Sequence, residues 1–80
     1  MIKIGKYKHY KGKEYEVLYL AKNGNDGDKN LEDVVVYRSL YDTPDFPLGT
    51  VWVRSLSEFS EMIESNGEKV PRFKLIEEKE

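Results

Sequence analysis

The sequence predicts a mainly β domain: a small, strongly bent barrel of about five short strands with one short helical turn. Eighty residues can bury one core but not two. Aromatic residues make up 12% of the chain, which is too many for a disordered segment. Several segments have the two-residue period of strands and are separated by marked turns. We expect one domain over residues 1–80, with its core over 5–76 and an acidic tail over 77–80.

The first two strands are predicted to form a hairpin. One strand covers Tyr7–Lys11 and the other Glu14–Ala21, which carries Tyr15 and Val17 on one face. The glycine of Lys11-Gly12-Lys13 supplies the turn between them. Lysines precede the first acidic residue whereas the tail is acidic, so we expect the two ends of the chain to attract each other.

The third strand is predicted over Asp33–Tyr41. Its residues are apolar on both faces, which is typical of a central strand. The prolines of Asp42–Gly49 cannot continue a ladder, so this segment is a loop before a short strand over Thr50–Arg54.

The end of the chain holds the helical turn and a second hairpin. Ser55 and Glu58 match the capping box that begins a helix. The dipeptide Asn66-Gly67 favours a type I′ turn and predicts a hairpin between Met62–Ser65 and Lys69–Ile76. Because Pro71 lacks an N–H, we expect its segment at an edge or a bulge.

The composition excludes several classes of protein. The net charge of −2 disfavours a binder of nucleic acid, whose contacts are mainly from cations to phosphates. With no cysteine, the chain has no disulfide, thiolate metal site or cysteine nucleophile. No apolar run approaches the roughly 20 residues that cross a bilayer, so we expect a cytoplasmic protein without a membrane partner.

Two loops resemble ligand sites only superficially. The segment from Gly5 to Lys13 lacks both the glycine spacing and the Ser or Thr of a phosphate loop. The loop from Asn23 to Asp33 alternates Asp26, Asp28 and Asn30, but Leu31 takes the place of the glycine that an EF-hand needs. We interpret it as a solvated loop and expect neither a metal nor a cofactor.

His9 is the one histidine and therefore the natural candidate for proton transfer near neutral pH. No nucleophile elbow, second histidine or closely spaced acidic pair accompanies it. We therefore expect a structural or ligand-contacting histidine and no enzyme activity.

Aromatic residues and arginines form the more informative set. If Val51 and Val53 point into the core, Trp52 and Arg54 emerge together on the opposite face as a stacking surface beside a planar cation. The alternative is that the aromatic residues simply form the core. The expected site is a shallow groove bordered by Tyr7, His9, Tyr10, Tyr37, Arg38, Trp52, Arg54 and Arg72.

The motifs G-x-Y-x-H-Y-K-G over residues 5–12 and Val70-Pro-Arg-Phe73 resemble the bacterial domain of unknown function family 1653. The resemblance runs from Gly5 to Phe73 and also includes Tyr15-Glu-Val17, Val35–Tyr41, Trp52-Val-Arg54 and Phe59. It implies an SH3-like barrel and no established activity. One departure is that members commonly carry a His-Ser-Glu-Thr-like segment after the second strand, whereas here Lys22 leads into the Asn/Gly/Asp loop.

We therefore expect a small binding module, monomeric or weakly self-associating. Arginine would bind a carboxylate or phosphate of a peptide or a small anionic ligand, and aromatic faces would stack on the rest. Three alternatives remain open: single-stranded nucleic-acid binding that uses Lys6, Lys8 and Lys11, an enzyme centred on His9, and a purely structural or self-associating protein.

Overall fold

A computed structural model describes residues 2–24 and 32–79 and contains seven strands and one helix in this part of the chain. The elements are β1 (Gly5–His9), β2 (Glu14–Lys22), β3 (Asp33–Ser39), β4 (Val51–Ser55), α1 (Leu56–Phe59), β5 (Met62–Ser65), β6 (Glu68–Pro71) and β7 (Phe73–Glu78). Five strands form an antiparallel sheet in the order β4-β3-β2-β1-β7, and β5 pairs with β6.

The mainly β prediction is confirmed, but the five-stranded sheet is open rather than a closed barrel. Its two edges are β4 and β7, which do not pair with each other. In the chain, α1 and the β5–β6 hairpin lie between these two edge strands, and Phe59 of α1 packs against Tyr7 of β1 and Tyr37 of β3 on the inner face of the sheet. As predicted from its apolar faces, β3 is an inner strand that pairs with both β2 and β4.

The core is largely aromatic. Its buried members are Tyr7, Val17, Val35, Tyr37, Phe59 and Phe73. The rings of Phe59 and Phe73 stack with their centroids 4.1 Å apart and their planes 3° from parallel. Tyr7 and Tyr37 meet Phe59 edge to face, at 5.3 and 5.6 Å between centroids. Helix α1 therefore inserts one phenylalanine into the curved inner face of the sheet.

The predicted turns and the helix cap are confirmed. The backbone N–H of Glu58 donates a hydrogen bond to Ser55 Oγ, as the capping box requires. Asn66 and Gly67 both have positive φ, 53° and 80°, which matches the type I′ turn. The second hairpin ends at Pro71, and Arg72 separates β6 from β7. The predicted single strand up to Ile76 is therefore two strands, broken next to the proline.

The chain ends meet as expected, because Lys3 Nζ lies 3.4 Å from Glu78 Oε1. Both side chains are more than half exposed, so this ion pair contributes little to stability. Within the described ranges, no helix is long and apolar enough to cross a membrane. Asp26, Asp28, Asn30 and Leu31 of the rejected calcium loop lie outside the described residues.

Candidate functional site

Strand β4 turns the opposite face toward the core from the one that its sequence predicts. Val51 and Val53 are 57% and 67% exposed, so the prediction that they enter the core is wrong. Trp52 and Arg54 instead lie half-buried on the inner face, opposite Tyr37 and Val35 of β3. The indole and the guanidinium do leave the strand on the same side, but toward the interior of the sheet rather than toward solvent.

Trp52 is engaged by the protein itself. Its indole Nε1 donates a hydrogen bond of 2.8 Å to Ser39 Oγ, whose residue is only 2% exposed. Phe46 packs edge to face against the indole at 4.9 Å between centroids. The ring also packs against the buried core, as the alternative interpretation of the aromatic residues expected. A solvent-facing stacking platform at Trp52 is therefore not present.

Arg54 differs from the other two arginines in the groups that contact it. Its Nε donates to Tyr37 Oη at 3.3 Å, and its Cζ lies 5.7 Å from the centroid of the Phe73 ring. Residues 2–24 and 32–79 place no carboxylate oxygen within 4.0 Å of the guanidinium nitrogens. The hydrogen bond to Tyr37 raises the pKa of Arg54, so the group is a permanent cation.

The other two arginines are paired. Arg38 lies on the outer face, where its Nη2 is 2.6 Å from Glu16 Oε1. Arg72 Nη2 lies 2.5 Å from Glu61 Oε1, while its buried Nε has no hydrogen-bond partner among the described residues. Arg38 and Arg72 therefore each have a carboxylate of the protein beside the guanidinium, although Arg72 keeps one buried donor without a partner among the described residues.

His9 contacts Phe73, the same ring that the Arg54 guanidinium faces. Its Nδ1 accepts a hydrogen bond of 3.2 Å from the backbone N–H of Lys11, so the neutral ring carries its proton on Nε2. Burial lowers the pKa of His9 from 6.5, and the nearby positive charges of Arg54 and Arg72 lower it further. The imidazole meets the Phe73 ring edge to face at 4.9 Å between centroids.

Two tyrosines of the expected site have different roles. Tyr7 is 5% exposed, and its hydroxyl donates a 2.6 Å hydrogen bond to the carbonyl oxygen of Lys3, so it belongs to the core. Burial raises its pKa. Tyr10 is 39% exposed and packs on His9 at 4.6 Å between ring centroids. The structure therefore gathers His9, Tyr37 and Arg54 on the inner face and leaves Arg38 on the outer one.

Sequence reasoning missed two members of this constellation, Tyr15 and Phe73. Their rings meet edge to face at 5.6 Å between centroids, and the charge of Arg54 acts on the Tyr15 hydroxyl. Burial and a hydrogen bond with the Tyr41 hydroxyl raise the pKa of Tyr15, which keeps it neutral. Both residues stood out in the sequence as aromatic, but their placement depends on how the sheet curls. We call the group formed by His9, Tyr15, Tyr37, Arg54 and Phe73 the Arg54 site.

The Arg54 site combines one planar cation, an imidazole and three further aromatic rings, of which those of Tyr37 and Phe73 are buried. Among the described residues, no group of three or more His, Asp or Glu side chains could hold a metal ion.

Comparisons with known proteins agree with the sequence motifs. The family model described as Protein of unknown function (DUF1653) matches residues 5–75. The chain belongs to this family. A crystal structure of a family member from Bordetella bronchiseptica is 32% identical to this chain, with a TM-score of 0.78. The match covers 99% of this chain and 92% of that one. No curated protein matches the chain.

Proposed function

We propose that this domain is a non-catalytic binding module whose ligand presents a carboxylate or phosphate group to Arg54. The remainder of the ligand, an apolar or aromatic part of a peptide or of a small molecule, packs against the partly exposed rings of the Arg54 site, which are His9 and Tyr15. Arginine suits this role because its planar guanidinium can hydrogen-bond both oxygens of a carboxylate at once.

The observation that carries this proposal is the difference between the three arginines. Arg38 and Arg72 each have a carboxylate of the protein within 2.6 Å, whereas Arg54 has a tyrosine hydroxyl and a ring. Glu58 is close enough for its charge to raise the pKa of Arg54, but the Glu58 carboxylate accepts a hydrogen bond from Ser55 Oγ. A half-buried cation that has no ion-pair partner among residues 2–24 and 32–79 favours an anion supplied from outside.

The surroundings of His9 support binding rather than catalysis. A general base in a triad is oriented by a third group, usually a carboxylate, on its second ring nitrogen. Here the described partner of that ring is the peptide N–H of Lys11, which donates to Nδ1 and fixes the proton on Nε2. In this tautomer, Nε2 is the ring nitrogen that can donate a hydrogen bond to a ligand.

Benzoate is a suitable probe because it combines a carboxylate with one aromatic ring. Its dissociation constant is measured by two-dimensional NMR titration of the intact chain, with the Arg54→Gln variant as the test and Arg38→Gln as the matched control. We expect saturable shifts for residues of the Arg54 site, loss of binding in Arg54→Gln and an unchanged constant in Arg38→Gln. Thermal melting of both variants checks that each remains folded.

Two further probes define which part of the ligand matters. Phenyl phosphate tests whether a phosphate replaces the carboxylate, and cyclohexanecarboxylate tests whether the ring must be aromatic. Equal benzoate binding by the wild-type protein and a folded Arg54→Gln variant would refute the proposal. So would the absence of saturable shifts for benzoate and phenyl phosphate alike.

A further inference from the structure

The outer face of the sheet carries an exposed apolar row that ends at a free edge. Tyr19 of β2, Val36 of β3 and Val53 of β4 are direct cross-strand neighbours. Tyr19 and Val53 are each 67% exposed, and Val51 of the same edge strand is 57% exposed. Aliphatic side chains exposed to this degree beside an unpaired strand edge are a known template for association with another chain.

The two edges of the sheet differ in how they are protected. On β7, the register shift opposite Lys6/Tyr7 and the charged Lys74, Glu77 and Glu78 are devices that discourage pairing. The outer face of β4 carries Val51, Val53 and Ser55, with no charge, no proline and a regular register with β3. Only one of the two edges of the sheet is therefore suited to pairing, so a contact of that edge with itself closes without building a filament.

From this asymmetry we propose that two copies of the chain pair through β4 in an antiparallel arrangement centred on Val53. This register keeps all five residues of β4 paired and joins the two apolar rows on the outer face. It places Val51 opposite Ser55 of the second copy, so no charges oppose each other there. On the inner face, Arg54 lies opposite Trp52 of the second copy, which pairs a cation with an aromatic ring instead of two cations.

Light scattering coupled to size-exclusion chromatography tests the proposal by measuring the molar mass of the protein at a series of protein concentrations. We expect the wild-type mass to double with rising concentration and then stop increasing. Val53→Lys should weaken association at least about tenfold, because it places two lysines against each other at the centre of the contact. Ile76→Lys is the matched control, since Ile76 is a 45% exposed apolar residue on the protected edge strand β7. It should leave association unchanged.

A charge exchange tests the register itself. Val53→Lys and Val53→Glu should each be monomeric, and an equimolar mixture of the two should recover the doubled mass because position 53 lies opposite itself. Three outcomes would overturn the proposal: a wild-type protein that stays monomeric at all concentrations, growth to masses beyond a dimer, or a mixture that stays monomeric while both variants are folded.

Discussion

Gly5 occupies a position that no side chain should tolerate, and its replacement by alanine gives the sharpest test of the sheet geometry. Its φ is +151°, and a Cβ built there overlaps the carbonyl oxygen of Glu77 and lies 3.0 Å from Glu78 Cα. Both atoms belong to the backbone of β7, so they cannot move aside as a flexible side chain would. Gly5→Ala must therefore separate β1 from β7 where Gly5 pairs with Glu78.

The magnitude has two parts. A strained backbone conformation costs about 1–3 kcal/mol, and forcing extra atoms into a packed site costs about 1–3 kcal/mol more. The sum, about 2–6 kcal/mol, is a large fraction of the roughly 4–12 kcal/mol expected for a domain of this length. Gly12→Ala isolates the first part, because Gly12 has φ +107° with nothing within 4 Å of its Cβ position.

Urea unfolding of the wild type and both variants measures these free energies. We expect Gly12→Ala to lower the free energy of unfolding by about 1–3 kcal/mol and Gly5→Ala to lower it further. The slopes of the unfolding free energy against urea should remain equal, because the surface exposed on unfolding is the same. If Gly5→Ala costs no more than Gly12→Ala, the close approach of β1 and β7 at Gly5 is refuted.

Three further predictions concern the core, the helix and the histidine. Phe59→Ala should lower the free energy of unfolding in urea by about 3–5 kcal/mol, because its ring is 1% exposed and stacked on Phe73. Phe46→Ala is the control and should lower it by about 1 kcal/mol, because that ring is 47% exposed. Equal losses in the two variants would contradict the assigned core. Ser55→Ala should lower the stability of the protein by about 1 kcal/mol because the helix cap is lost, and Ser60→Ala at the other end of α1 should lower it less. Thermal melting measures both variants. An unchanged melting temperature for Ser55→Ala would contradict the cap. The pKa of His9 is lowered from 6.5, so the unfolded chain takes up its proton first and stability should fall as the pH drops below 6.5 toward the lowered value. Urea unfolding of His9→Gln across that range should show a smaller fall, and a pH dependence identical to that of the wild type would contradict the shift.

Features encoded by neighbouring residues were predictable from the sequence. Ser55 and Glu58 are one helical turn apart, and Asn66-Gly67 supplies the two positive φ angles of its turn, so both elements formed where expected. The inner position of β3, between β2 and β4, also agrees with the expectation drawn from its apolar residues.

Which face of β4 enters the core could not be predicted in the same way. Alternation separates Val51 and Val53 from Trp52 and Arg54, but it does not say which pair enters the core. The valines were the obvious choice by hydropathy, yet Trp52 supplies more apolar area and has Ser39 to accept its N–H. Arg54 then lies on the inner face as well, because it is two residues from Trp52 and side chains alternate between the faces of a strand. Its cation is then accommodated by Tyr37 and Phe73, which are distant in sequence.

One ion pair carried a sequence signal that was overlooked. A hairpin centred on Asn66-Gly67 pairs Met62 with Pro71, so Glu61 and Arg72 follow as the next opposed positions. The pairing of Arg38 with Glu16 was less accessible, because the register of β2 against β3 shifts between Val17 and Tyr19. Which arginine lacks an acidic partner within the described part of the chain therefore depends on the folded sheet.

The guanidinium signals of the three arginines test the central claim most directly. In an NMR titration of the wild-type protein with benzoate, we predict that the Nε–H resonance of Arg54 shifts and saturates while those of Arg38 and Arg72 stay in place. An Arg54 resonance that does not move, or equal movement of all three, would contradict the claim that Arg54 is the group this domain leaves available for an anion.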